Sequence, residues 1–367
     1  MGYVSQASAQ PLRGEYVLAF VGPASPNIVT ISPAMAAGLA AAFETINRQG
    51  GIHGRKLSLV HLDDGFVPEK SVELLSRAAE DPNLIGIAAV FATLATLKLS
   101  ASGILEKTGL TVAASATGAR KVRELNDPHL LFFRPSFQDE ISMIVRHAST
   151  LSISRFAFFY EDSDFGKDGL DAMKVALPAS RASLAASFGH GKRDEDFPAM
   201  ARKFADSDAQ AVVMLAVQNQ ATRFIKSLRK AGFQRPIFSV SVVNADALAA
   251  DLGNQDARGI AIAQVVPSPN NPKISVARDF QGALSAAQRT KYSESQSALE
   301  GYIIGMLISV AMKRAKGPLN REGFSTAIKS LGTIEVGGIR AGLNPGNSTS
   351  KGYLDLGVID ATGKLRN

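Results

Sequence analysis

The chain has no cysteine among its 367 residues. Disulfides, thiolate metal sites and cysteine nucleophiles are thereby excluded, and the redox compartment stays open. Long apolar runs are also missing: residues 302–312 form a stretch of about eleven, against the roughly twenty that span a bilayer, and read as a buried helix. There is no Gly-x-Ser-x-Gly elbow and no phosphate loop; Gly189-His190-Gly191-Lys192 is too short and lacks a hydroxyl after the lysine. His53, His61, His129, His147 and His190 lie in unrelated segments without metal-ligand spacing, and read as surface or loop residues. The Asp162, Asp164, Asp168 cluster has glycine, Gly166, at a calcium-ligand position and no closing glutamate, so it reads as a polar loop. Asp63-Asp64 has no partner for acid–base work and reads as a helix cap or a pairing across domains. These absences exclude an enzyme with recognisable machinery, a bound cofactor and a metal site.

What is present is ordinary for a globular protein: 46% hydrophobic and 20% charged residues. The net charge is +7 and the isoelectric point about 9.5. The basic residues are scattered, with Lys313-Arg314-Ala315-Lys316 at a helix end among the denser runs, and no aromatic residues interleave with them. A solvated face is expected, and no nucleic-acid partner. The length exceeds one core of usual size, so two domains are expected. Ala7-Ser8-Ala9-Gln10 matches the small-x-small end of a secretory signal whose apolar core is absent, which points to export. Residues 1–14 are accordingly expected to be disordered or processed.

From residue 16 onward, short apolar runs alternate with amphipathic helices. Strands are expected at 16–20, 57–62, 85–89, 110–113, 156–160, 183–188, 211–215 and 237–240, with a final one at 353–360. Ser32-Pro33 has the form of a helix start, with Ser at the cap and Pro in the first turn. Such alternation predicts an α/β fold with parallel sheets in two similarly built halves. The densest chemistry follows two of these strands, in Val90-Phe91-Ala92-Thr93-Leu94-Ala95-Thr96 and Ala114-Ser115-Ala116-Thr117-Gly118. Small hydroxyl residues at the carboxyl ends of parallel strands are placed to hold a ligand without transforming it. On these residues alone, capping of the following helices is an equal alternative.

The chain resembles type I periplasmic solute-binding proteins of the leucine/isoleucine/valine-binding branch, which serve ABC transporters. The resemblance rests on Gly22-Pro23-Ala24-Ser25, on Gly38, and on Asn47-Arg48-Gln49-Gly50-Gly51-Ile52-His53-Gly54-Arg55-Lys56-Leu57. That last block matches an Asn-x-x-Gly-Gly-Ile-x-Gly-x-x-Leu signature. Asp63-Asp64, Ala116-Thr117, Asp164-Phe165-Gly166 and the block from Asp194 to Phe197 continue it in order. The resemblance implies two Rossmann-like lobes with parallel sheets, joined by a three-stranded hinge, that close on a ligand. Crossovers are implied near Arg134-Pro135, Val265-Val266 and Gly337-Gly338. Residues 15–134 with 266–337 would then form one lobe, and residues 135–265 with 338–367 the other.

Carried over residue by residue, the resemblance implies a ligand site of Thr93, Leu94, Ser115, Thr117, Phe165, Ile31, Val217 and Ser241. Thr93 and Thr117 keep the hydroxyls that hold a ligand carboxylate. Phe165 replaces a frequent tyrosine, and Ile31 and Val217 stand where aromatic walls are usual. Ser241, with Ser239 as its nearest polar neighbour, replaces the glutamate that pairs with an α-ammonium. Burying an unpaired ammonium costs several kcal/mol, on the order of the desolvation of an isolated charge. The expected ligand is therefore apolar and not a standard α-amino acid: an aromatic or aliphatic carboxylate, or a lipid such as a sterol. The alternatives are a branched-chain amino-acid binder whose charge partner is Glu161 or Asp162, and a ligand-sensing module of the same fold. A membrane-bound sensor would need a spanning segment, and none occurs in these residues. A periplasmic monomer that partners a membrane permease is the implied setting.

Overall fold

The computed structural model describes residues 14–191, 196–346 and 352–366. The blocks around Ala7 and Asp194 lie outside them. The first half runs β1 (Glu15–Val21), α1 (Ile31–Arg48), β2 (Lys56–Leu62), α2 (Pro68–Ala78), β3 (Leu84–Phe91), α3 (Thr93–Ala101), α4 (Ile104–Thr108), β4 (Val112–Ala116), α5 (Arg120–Glu124) and β5 (Leu131–Phe132). The second runs α6 (Phe137–Thr150), β6 (Arg155–Glu161), α7 (Asp164–Ala179), β7 (Ser183–His190), α8 (Phe197–Asp206), β8 (Ala211–Leu215), α9 (Gln218–Lys230), β9 (Ile237–Ser239), α10 (Ala245–Leu252), α11 (Asn254–Ala257) and β10 (Ala261–Gln264). Then follow α12 (Ser275–Ala283), α13 (Ala286–Tyr292), α14 (Gln296–Arg314), α15 (Arg321–Lys329), β11 (Thr333–Val336), β12 (Ile339–Gly342), β13 (Asn344–Pro345), β14 (Asp355–Ile359) and β15 (Leu365–Arg366).

Two sheets organise the chain, in strand orders β2-β1-β3-β4 and β15-β14-β10-β9-β8-β6-β7. The first is parallel throughout, and the second is parallel from β10 to β7 with β14 and β15 antiparallel at one edge. The fully buried run of β3, LIGIAAVF, is what a central parallel strand covered on both faces requires. The alternation read from the sequence is thus realised as two α/β lobes.

In the first lobe α1 lies directly on α14. A Cβ on Gly38 would stand 1.8 Å from the Ala298 carbonyl oxygen, and one on Gly301 2.1 Å from that of Met35. Glycine is needed because the two backbones touch. The signature block ends α1: Gly50, Gly51 and Gly54 have φ of 99°, 70° and 76°, which favours glycine. The Asn47 amide then acts as a strand edge, donating to Leu57 O and accepting from Leu57 N, each at 2.8 Å.

Two of the implied positions separate strands of different sheets, Arg134-Pro135 lying between β5 and β6 and Val265-Val266 between β10 and β11. The third does not. Gly337 and Gly338, with φ of 52° and 92°, form the two-residue turn of the β11–β12 hairpin. The chain continues to β13, which pairs with β5, and passes to the second sheet only between Pro345 and Asp355. The lobe boundary therefore lies beyond residue 337. His190 also departs from expectation: it is fully buried and its ring stacks on Phe159 at 4.9 Å.

Alanine at Gly38 or Gly301 is expected to lower stability by about 2–4 kcal/mol, because the helices must separate. Gly282→Ala, in α12 with open space around it, is expected to raise it by about 0.5–1 kcal/mol. Urea unfolding midpoints of the three variants check both signs.

Candidate functional site

The register of β3 with β4 sets Val90 opposite Ser115 and Phe91 opposite Ala116, which brings the residues after both strands together. The chain leaves β3 through Ala92, whose φ of 85° is a left-handed value rare for a residue with a Cβ. The turn starts α3 at Thr93. Thr96 returns both its N–H, at 3.1 Å, and its hydroxyl, at 2.9 Å, to Ala92 O. The N–H groups of Thr93, Leu94 and Ala95 have no acceptor within the helix. Thr93 Oγ1 lies 2.7 Å from Thr117 Oγ1, both buried, and Thr117 Oγ1 also accepts from Ala119 N at 3.1 Å.

Ser115 Oγ is buried without a partner, as are Thr30 Oγ1 and Ser32 Oγ. The capping alternative fails for these hydroxyls. The cap position of α3 is Ala92, and α1 starts at Ile31 with Thr30 at its cap and no side-chain bond from it. Ser32 is inside the helix. Ile31 and Leu94, buried and half-buried, flank this polar edge from α1 and α3.

The second lobe presents an equivalent edge. Phe165, half-buried, packs edge-on against Phe137 with ring centres 5.4 Å apart. Val217 is the cap residue of α9. The aspartates near Phe165 turn to separate partners: Asp162 pairs with Lys167 at 2.9 Å, and Asp164 with Lys121 of the first lobe at 2.6 Å. Asp168 accepts from the N–H groups of Arg120 and Lys121 at 3.0–3.4 Å, closing the first turn of α5 from across the lobes. Burial pushes the Asp168 carboxyl upward, and those donors partly offset it. Among the described residues no three histidine, aspartate or glutamate side chains are grouped to hold a metal ion. Asp64 caps a turn instead, accepting from Phe66 N at 2.8 Å and Ser71 Oγ at 2.7 Å.

Ser241 has surroundings that the sequence does not announce. Its N–H donates to Glu140 Oε2 at 2.7 Å and its hydroxyl to Glu140 Oε1 at 3.0 Å. Arg134 Nη1 lies 3.3 Å from the same hydroxyl. The Arg134 guanidinium is held by both oxygens of Glu300 at 2.6 Å. The first crossover, α14 of one lobe, and α6 and the β9 exit of the other therefore meet in one buried network. A Ser136–Asp139 capping box starts α6 immediately after Pro135 and so delivers Glu140. Burial raises the Glu140 carboxyl to about 7, with the Ser241 donors and Arg134 opposing. A carboxylate does stand beside Ser241, brought from 101 residues away. Ser239 is fully buried within β9 and its hydroxyl bonds to Val240 O at 3.2 Å.

Thr93 and Thr117 are thus in direct contact, with Ser115 beside them on β4 and Leu94 and Ile31 on the same lobe. Phe165, Val217 and Ser241 belong to the facing lobe, at the carboxyl ends of its parallel strands. A family model described as periplasmic binding protein matches residues 16–352. An amino acid binding protein of Pseudomonas aeruginosa is 24% identical over 219 residues, a match spanning 59% of this chain and 58% of that protein. Leu/Ile/Val-binding protein homolog 7 of Brucella abortus is 22% identical over 330 residues, 85% of this chain and 80% of that one. The crystal structure of an extracellular ligand-binding receptor from Verminephrobacter eiseniae superposes with a TM-score of 0.89 at 27% identity, covering 96% of this chain and 100% of that one.

Because folding raises the Glu140 carboxyl from 4.5 to about 7, the unfolded chain releases this proton first as pH rises. This group's contribution to stability is therefore expected to fall between about pH 4.5 and 7, and to level off above. Glu140→Gln should remove that slope, so that relative to the natural chain it is more stable at pH 8 than at pH 4.5 by about 1–3 kcal/mol. Denaturant unfolding of both proteins at the two pH values measures it.

Proposed function

The chain belongs to the periplasmic binding protein family, and on that premise we propose that it captures a small carboxylate with an apolar body between its lobes and delivers it to a membrane transporter. The observation that supports this reading best is the buried Thr93–Thr117 hydroxyl pair at the start of α3. Backbone N–H groups at a helix N-terminus favour an anion, and hydroxyls beside them add directed donors. Ser115 Oγ, buried and unpartnered, is a further candidate for the same head group. Ile31, Leu94, Phe165 and Val217 offer apolar contact to the body of the ligand.

The Ser241 network bears on ligand class. Glu140 already accepts two donors from Ser241, and Arg134 and Glu300 satisfy one another. A ligand ammonium is therefore not the partner this network calls for, and an aromatic or aliphatic carboxylate lacking an α-ammonium fits better. No helix among the described residues is long and apolar enough to cross a membrane, which agrees with a carrier that works in the periplasm. One observation favours an α-amino acid instead: Glu161 ends β6 at the second lobe's edge with only 9% of its surface exposed.

Calorimetric titration with leucine, hexanoate and benzoate derivatives separates the two readings. Thr93→Val and Thr117→Val are expected to weaken a carboxylate about 5- to 150-fold, by leaving a buried acceptor unpaired. Micromolar binding of leucine, lost in Glu161→Gln, would replace the first reading with the second. Retention of full carboxylate affinity by both threonine variants would remove the anchor from Thr93 and Thr117.

A further inference from the structure

The second lobe carries polar groups whose hydrogen bonds are incomplete, and one of them is held in place. Gln218, the first residue of α9, accepts the Asn244 backbone N–H with Oε1 at 2.8 Å. Only the carbonyl oxygen of an amide can accept, so this bond fixes which end of the side chain is which. The other end, Nε2, is buried and has no partner. Ser163 Oγ is also buried and unpartnered, at the cap position of α7 with no capping bond.

The two positions follow adjacent strands. Tyr160 of β6 pairs with Leu215 of β8; Ser163 lies three residues beyond the first and Gln218 three beyond the second. An amide donor and a hydroxyl thus follow adjacent parallel strands, each at the start of a helix, where the partial charge is positive. Buried donors almost always find acceptors. The Ser163 hydroxyl donates or accepts as required, whereas the Gln218 amide hydrogens need an acceptor.

We propose that Gln218, supported by Ser163, reads a second oxygen of the ligand, an uncharged acceptor such as a keto or amide carbonyl at the end remote from its carboxylate. The acceptor is uncharged because Glu161, largely buried, ends β6 at the same edge, and a second anion would meet it. The inference rests on the carboxylate reading and narrows it: the ligand is an oxo-acid type molecule spanning the cleft, its anion on the first lobe and its carbonyl on the second.

The test uses isosteric pairs, 5-oxohexanoate against 5-methylhexanoate and 4-acetylbenzoate against 4-isopropylbenzoate, with adipate and terephthalate as doubly charged controls. The full chain is expected to prefer the oxo member of at least one pair by roughly 10- to 100-fold, as for a donor otherwise left unpaired, and to bind the dicarboxylates more weakly. Gln218→Glu keeps an acceptor for Asn244 N and exchanges the donor for a carboxylate. It should abolish or invert the preference while the methyl compounds bind as before. Gln218→Leu should level each pair, and its ligand-free melting temperature separates lost recognition from lost folding. Equal affinity within both pairs in the natural chain, or a preference untouched by Gln218→Glu, would overturn the Gln218 assignment while leaving the carboxylate site standing. Failure of every carboxylate to bind would overturn both.

Discussion

Everything that distinguishes this cleft from a simple pair of lobes depends on the buried Arg134–Glu300 pair. Arg134 is the residue with which the chain leaves the first lobe, and Glu300 is in the helix that backs that lobe. Two bonds of 2.6 Å hold the guanidinium, and burial pulls its proton affinity down while Glu300 more than restores it. Replacing one partner of such a pair costs about 3–5 kcal/mol, because the other is left charged and dry. The pair fixes the root of the crossover, and the free edge of the guanidinium then reaches Ser241 in the second lobe.

That anchoring explains why the two edges of the cleft differ in chemistry. The first-lobe edge gathers polar groups: threonine hydroxyls in contact, a strained Ala92 turn and the open N–H groups of α3. The second-lobe edge has its acidic groups committed elsewhere. Asp164 and Asp168 reach across to Lys121 and the start of α5, so their charge serves lobe contact. Glu140 is sealed behind Ser241. What stays available on that edge is neutral or apolar, apart from Glu161.

The fold was legible because its determinants are local. Buried parallel strands read as apolar runs, the Asn47–Gly54 block encodes a helix stop and a strand clamp within a few residues, and both are found as expected. The contact of Thr93 with Thr117 has the same local origin, each coming directly after its strand. The third crossover was misplaced because Gly337-Gly338 fits a hairpin turn as well as a hinge, and only pairing of the flanking residues decides between them. Ser32 has the form of a helix cap, yet its hydroxyl is buried and does not cap. Cap chemistry in a sequence does not reveal whether the hydroxyl turns to its own backbone.

Glu140 marks where reading along the chain fails in principle. Residues 236–244, around Ser241, contain no carboxylate. The structure places one within hydrogen-bond distance, from a helix that begins just past the opposite crossover. Loss of a charge at one position and its presence nearby in space are different events, and only the second decides what a ligand meets. The position of the charge matters as much as its sign. Glu140 has both oxygens engaged by Ser241, its carboxyl raised by burial and Arg134 alongside. It thereby holds the β9 exit against the start of α6.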